Sequence, residues 1–359
     1  MEDKRYAYAV ARIRALEKKL LTSQVKRELL EAEGEETLFR TLRTMAYGSD
    51  KESFIERTRE ESAETISLLR KLSLDPELTD LLTLKYDFHN LKILLKAKHF
   101  QQDVRSLMVE GEAIGIEELQ NAVSEGRMRN FPVCFAEAIE KAEAGFEKDE
   151  ETGAIDIAVD REFGKVFHSR CVEYGHRFFA EFSSCIADLS NIRNFFRARN
   201  LDRNADFLES ILLENGIIEK NIFLSSIGQP VEEFIGRLKF SDYYDLISES
   251  AAFLKEKGSL LRMERLIEKY ILDFVGKTRY GVFRCRALKH SLKVPYTAYV
   301  PVVYRLIEAL IGLEHIGHGV YPRSVPIFYP IDLRGGYGFI EWIFAKHLGH
   351  VYGRGVGFK

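Results

Sequence analysis

Two twelve-residue segments of this chain share one pattern at a separation of 101 residues. Residues 87–98 read DFHNLKILLKAK and residues 188–199 read DLSNIRNFFRAR. Eight of the twelve positions match in type, and they include an identical Asp, Asn and Ala. A spacing near 100 residues is far longer than the roughly 20 to 50 residues of solenoid repeats. The repeat therefore predicts duplication of a whole small domain.

Helical periodicity covers most of the chain before residue 285. Residues 5–31 carry an apolar stripe opposite a charged face, and similar patterns continue to about residue 275. Only three prolines precede residue 285, each where a helix can begin or end. The chain has 359 residues, 46% of them hydrophobic, which is enough for two or three cores. We therefore predict an all-α fold.

The composition changes abruptly at residue 285. Five of the eight prolines, five of the nine histidines, ten of the 25 glycines and the single Trp follow it. We therefore treat the C-terminal 75 residues as an atypical tail whose fold is doubtful.

Side chains in the repeat are the candidate functional residues. On a helix, residues three and four apart share a face, so the acidic and amide side chains of each copy lie together, and so do the basic ones. A buried Asp-Asn pair needs hydrogen-bond partners, whereas a basic ridge can also be a solvated face. We predict a role at domain junctions or interfaces, and the candidates are Asp87, Asn90, Lys92, Lys96, Asp188, Asn191, Arg193 and Arg197.

Motifs for catalysis, cofactors and metals are weak. Residues 276–278 read GKT, but a phosphate-binding loop needs a glycine at position 271, which is Ile. The pairs His315/His318 and His347/His350 have the spacing of zinc ligands, yet no further Cys or carboxylate pair completes a site. The four cysteines show no CxxC spacing. We predict no catalytic, cofactor-binding or metal-binding residue.

Charge and hydropathy limit the partners. The net charge of −3 argues against a nucleic-acid-binding surface, which is usually strongly basic. Two arginine-glycine segments, at 334–338 and 354–355, leave RNA association open as an alternative. No stretch approaches the about 20 apolar residues of a membrane-spanning helix. An all-helical scaffold of some other complex is the second alternative.

Three segments resemble the C subunits of the archaeal and bacterial V-type ATP synthases, a family that includes the eukaryotic d subunit. They are residues 6–17 (YAYAVARIRALE), residues 86–98, and residues 188–199 with the preceding segment 156–163. The resemblance covers roughly residues 5–284. It implies three similar helical domains around a pseudo-threefold axis, forming a funnel. The predicted domains are a first helical repeat domain at 1–105, a second at 106–205 and a partial third at 206–284, followed by the atypical tail at 285–359.

The resemblance also implies a function without chemistry of its own. Family members are non-catalytic rotor subunits that link the central shaft, made of the D and F subunits, to the membrane proteolipid ring. They transmit torque and need no cofactor. The implied location is the cytoplasmic face of the cell membrane, where the complex holds the protein peripherally.

The sequence departs from the family near residue 284. The family's third domain continues through Gly-x-Glu-Pro, whereas residues 281–283 read GVF and residues 284–287 read RCRA. The codons CGG-TGT-AGA-GCC encode RCRA; read one nucleotide later, they encode Gly-Val-Glu and begin a proline codon. We therefore predict a shifted reading frame at this junction, which would leave the third domain incomplete.

Overall fold

Helices form all the regular secondary structure of the described residues, as the periodicity predicts. The structure, a computed structural model, describes residues 23–32, 54–73, 75–100, 114–125, 131–149 and 152–277, with isolated positions before residue 42 and between residues 104 and 109. The tail at 285–359, with its histidine pairs and arginine-glycine segments, and Thr278 lie outside them. The helices are α1 (Ser23–Glu31), α2 (Phe54–Leu72), α3 (Pro76–Phe100), α4 (Ile116–Glu125), α5 (Val133–Asp149), α6 (Thr152–Glu173), α7 (Arg177–Asn200), α8 (Ala205–Ile211), α9 (Lys220–Ser226), α10 (Val231–Arg237), α11 (Tyr244–Lys257) and α12 (Leu261–Lys277).

The chain divides into two compact units. One contains the described residues up to Thr79 together with 275–277, and within it Ile66, Leu69 and Leu72 of α2 are buried at helical spacing. The other contains Asp80–Phe274 and both copies of the repeat. The three-domain arrangement and the boundaries near residues 105 and 205 stay predictions.

Helices α5 and α6 pack against each other at close range in the second unit. A Cβ atom on Gly145 would lie 3.3 Å from Cβ of Ala154, so two small residues allow the helices to approach. Nζ of Lys141 lies 2.7 Å from Oε2 of Glu162, whose side chain is buried. This ion pair ties the same two helices together.

Helix α7 packs on α6 and α8 in the second unit. It begins after His176, whose Nδ1 accepts a hydrogen bond of 3.1 Å from the N–H of Phe178. The apolar positions of the repeat are buried, with Ile192 and Phe196 on α7 matching Leu91 and Leu95 on α3. Both copies are therefore core helices.

Candidate functional site

The acidic and amide side chains of both copies are fully buried. Asp87 and Asn90 on α3, and Asp188 and Asn191 on α7, are each 0% exposed. Burying such groups costs free energy unless hydrogen bonds satisfy them. Their bonds therefore define what each copy holds in place.

Each asparagine binds one backbone unit with two hydrogen bonds. Asn90 donates from Nδ2 to the carbonyl of Val109 and accepts from the Val109 N–H, both at 2.9 Å. Asn191 does the same with Leu213, at 3.0 Å and 2.8 Å. An amide side chain can donate and accept at once, which a carboxylate or a hydroxyl cannot match in this geometry. The identical residue in the two copies has the identical function.

Each aspartate accepts a hydrogen bond from a backbone N–H. That N–H belongs to the residue five positions after the one that the asparagine of the same copy binds. Oδ1 of Asp87 accepts from Ile114 at 3.2 Å, and Oδ1 of Asp188 accepts from Ile218 at 2.9 Å. The two bound segments, 109–114 and 213–218, therefore have the same length. We call them the clamped segments, because the Asp-x-x-Asn pair holds each at both ends.

Asp188 has two further neighbours. Its Oδ2 accepts a hydrogen bond of 3.0 Å from the hydroxyl of Tyr243, the residue before α11. A Cβ atom on Gly216 would come within 2.3 Å of Oδ1, so only glycine fits in the clamped segment at that point. Burial raises the pKa of Asp188, although its hydrogen-bond donors act in the opposite direction. Burial also raises the pKa of Tyr243.

The lysines of the first copy bind two aspartates on α6. Nζ of Lys92 lies 2.5 Å from Oδ1 of Asp160 and 3.9 Å from Oδ1 of Asp156. Nζ of Lys96 lies 2.7 Å from Oδ2 of Asp156, and both of these side chains are buried. Burial lowers the pKa of Lys96, and the charge of Asp156 opposes that shift.

The arginines of the second copy share one glutamate on α12. Nε of Arg193 lies 2.9 Å from Oε2 of Glu264, and Nη2 of Arg197 lies 2.8 Å from Oε1. The three side chains are between one fifth and about one quarter exposed. One carboxylate thus pairs with two guanidinium groups one helical turn apart, and its bond from Arg197 is a charge-assisted hydrogen bond.

The final basic position of each copy also contacts a later helix. Nζ of Lys98 lies 2.8 Å from Oε1 of Glu143 on α5. Arg199 donates from Nη1 to the carbonyls of Ser226 and Ile227 at the end of α9, where a cation is favourable. The basic side chains of both copies therefore bind carbonyl and carboxylate groups of the same chain, and they do not simply form a solvated face.

Sequence reasoning missed the groups that receive these side chains. They are Asp156, Asp160, Glu264, Tyr243 and Gly216. One signal was present: the two aspartates are four residues apart on a helix, the same spacing as the lysines that they bind. Glycine and tyrosine carried no such signal, because nothing local marks them as neighbours of a buried carboxylate.

Features outside the repeat show little sign of ligand chemistry. Among the residues that the structure describes, no group of three His, Cys, Asp or Glu side chains is placed to hold a metal ion. Gly276 and Lys277 lie in the last turn of α12, a long helix, rather than in a loop after a strand.

A membrane-spanning helix is also absent from the described part of the chain, where each helix is too short or too polar.

Comparison with known proteins gives the family. The model of the ATP synthase (C/AC39) subunit family matches residues 9–286. The C subunit of the V-type sodium ATPase of Enterococcus hirae is 24% identical over 268 residues, covering 73% of this chain and 81% of that protein. The C subunit of the A-type ATP synthase of Methanothermobacter thermautotrophicus is 26% identical over 303 residues, covering 77% of each. That of Methanosarcina acetivorans is 24% identical over 288 residues, covering 75% of this chain and 78% of that protein. This chain therefore belongs to the ATP synthase (C/AC39) subunit family, whose members are non-catalytic subunits.

Proposed function

We propose that this chain is a rotor subunit of an A-type or V-type rotary ATPase. In this role it links the central shaft to the membrane proteolipid ring and transmits torque between them. The family match over residues 9–286 is the observation that carries the proposal. Helical packing with internal ion pairs supports it, because an adaptor that transmits rotation must resist deformation.

The partners follow from the same role. They are the D and F subunits of the shaft on one side and the proteolipid ring on the other. The chain would then lie at the cytoplasmic face of the cell membrane, held there peripherally through the complex. A helical scaffold of another complex, or an RNA-associated protein, is the alternative, and no contact among the described residues favours it.

The eight candidate residues of the repeat act, in this proposal, at junctions between successive domains. Lys92 and Lys96 belong to the predicted first domain, and their aspartates to the second. Arg193 and Arg197 belong to the second, and Glu264 to the third. Each copy would hold a clamped segment of the next domain with its Asp and Asn, and a helix of that domain with its basic pair. These ion pairs favour a junction over a contact with shaft or ring for the same side chains.

Co-purification tests the role in the complex. The chain carries an affinity tag and is isolated from detergent-solubilised membranes of its own organism, and the bound proteins are identified by mass spectrometry. The proposal expects proteolipid and shaft subunits in stoichiometric amounts. Recovery of ribonucleoprotein, or of the tagged chain without ring and shaft, contradicts it.

The third domain is a separate part of the proposal. The family match ends at residue 286, beside the change in composition at residue 285. We propose that the reading frame shifts there, so that residues 285–359 replace the remainder of the third domain. Nucleotide sequence across codons 281–287 tests this: the shifted frame should encode Gly-Val-Glu-Pro and a family-like continuation. An alternative frame without that continuation contradicts the proposal.

A further inference from the structure

Helices α3 and α6 have an aromatic contact and, further along, the ion pairs of Lys92 and Lys96. The ring centroids of Phe88 and Phe163 lie 5.6 Å apart, and Nζ of Lys96 lies 2.7 Å from Asp156. Partner numbers fall along α6 as residue numbers rise along α3, so the two helices run in opposite directions. One contact is aromatic and the other ionic. At about 1.5 Å per residue, the eight positions from Phe88 to Lys96 separate them by about 12 Å.

Helices α7 and α12 repeat this arrangement with a longer separation. The ring of Phe274 lies 5.8 Å from that of Phe178 and 6.2 Å from that of Phe182, between centroids. At the other end, Arg197 binds Glu264 at 2.8 Å. The fifteen positions from Phe182 to Arg197 correspond to about 22 Å along α7. These helices also run in opposite directions.

Two separated contacts constrain a helix pair more than one contact does. Helices that meet at one point can change their crossing angle by pivoting about it. When a second contact lies far from the first, any pivot about the first contact displaces the atoms of the second contact relative to each other. An ion pair with defined geometry resists that displacement, and an aromatic pair resists it through packing.

We propose that α3–α6 and α7–α12 are torsionally stiff joints, each fixed by an aromatic contact and an ion pair at a distance from each other. The α7–α12 joint is the stiffer of the two, because its contacts are further apart. The stiffness is a property of the isolated chain. Its use in transmitting rotation rests on the proposed function.

Distance measurement between α7 and α12 tests the joint in the full-length chain. Spin-labelled amino acids are incorporated at positions 200 and 269, which are exposed on α7 and α12, and the distance distribution is recorded by pulsed electron resonance. We expect a narrow distribution in the parent. Glu264→Gln removes the ion pair and Phe274→Leu removes the aromatic contact; each should broaden the distribution with helix content unchanged.

Glu249→Gln is the matched control. It breaks an exposed ion pair between Glu249 on α11 and Arg262 on α12, the helix that also carries Glu264 and Phe274. We expect the width in this variant to equal that of the parent. Equal widths in the parent, Glu264→Gln and Phe274→Leu, with each chain folded, overturn the proposal. If one variant fails to fold, the other decides the outcome.

The same variants separate this inference from the proposed function. If the variants broaden the distance distribution but the chain does not co-purify with ring and shaft, the joint is supported and its role in rotation is contradicted. If the chain co-purifies with ring and shaft but the variants have the same distribution width as the parent, the rotor role is supported and the joint is contradicted.

Discussion

Asn191 and Leu213 exchange two hydrogen bonds, with the side-chain amide donating at 3.0 Å and accepting at 2.8 Å. Asn191→Ala should therefore destabilise the second unit by about 3 kcal/mol, since it leaves a buried N–H and a buried carbonyl unsatisfied. Hydrogen exchange read by mass spectrometry should accelerate in the segment 213–218. Asn194→Ala is the control: Asn194 makes one bond, to the carbonyl of Ile211, and should cost about 1 kcal/mol. Equal costs for the two variants contradict the prediction.

Gly216 is the position in the clamped segment where a side chain does not fit. Gly216→Ala places a Cβ atom within 2.3 Å of Asp188 Oδ1, so either the segment or the carboxylate must move. We expect a loss of stability of about 1 to 3 kcal/mol, the usual cost of overpacking. The thermal midpoint of unfolding measures it. Gly236→Ala, where a Cβ atom meets open space, should leave the midpoint unchanged or higher.

The two aspartates on α6 should differ in their contribution to stability. Asp156→Asn leaves the ammonium of Lys96 buried without its partner charge, which should cost about 3 kcal/mol or more. Asp160 is 41% exposed, so Asp160→Asn should cost at most about 1 kcal/mol. Chemical denaturation measures both.

Removing both charges of the buried pair gives the complementary test. The double change Lys96→Met with Asp156→Leu leaves no isolated charge and should recover most of the stability lost in Asp156→Asn. A double variant as unstable as the single one would show that the ion pair itself, rather than the isolated charge, sets the cost.

The titration of Asp188 should give stability a specific pH dependence. Burial raises its pKa above the ordinary value of 3.8, so the folded state holds this proton more tightly than the unfolded state. Stability from this group is greatest below that ordinary value and is lost as pH rises through the folded pKa. Asp188→Asn does not titrate, although its oxygen can still accept from the N–H of Ile218. The midpoint of the variant should therefore rise relative to the parent as the pH increases above that ordinary value, and a constant difference contradicts the prediction.

The sequence predicts the helices better than their connections. The periodicity of 3.6 residues marks the buried positions, and Leu91 and Ile192 are buried where it places them. The rule that buried polar groups need partners predicts that Asn90 and Asn191 are bonded. It does not predict to what, because the partners are backbone groups of Val109 and Leu213, and backbone groups have no residue-type signature.

Distance along the chain explains the remaining omissions. Lys92 meets Asp160 and Arg197 meets Glu264 across nearly 70 residues, so no local pattern connects them. Comparing the two copies of the repeat shows which positions they share, but it does not show which other helix each copy contacts. For the same reason the sequence left a solvated basic face as an open alternative.

The connection from the asparagine to the residue that it binds differs in length between the two copies. From the asparagine to its bound residue, the first copy has 19 positions and the second has 22, yet both clamped segments span five steps between their two bonds. The extra residues therefore lie before Leu213, between the end of α7 and the first bond. Natural insertions, and engineered tags, should be accommodated at 201–204 and rejected between Leu213 and Ile218. The Asp-x-x-Asn pair thus fixes the length of one stretch of chain, whereas the stretch before it differs in length between the two copies.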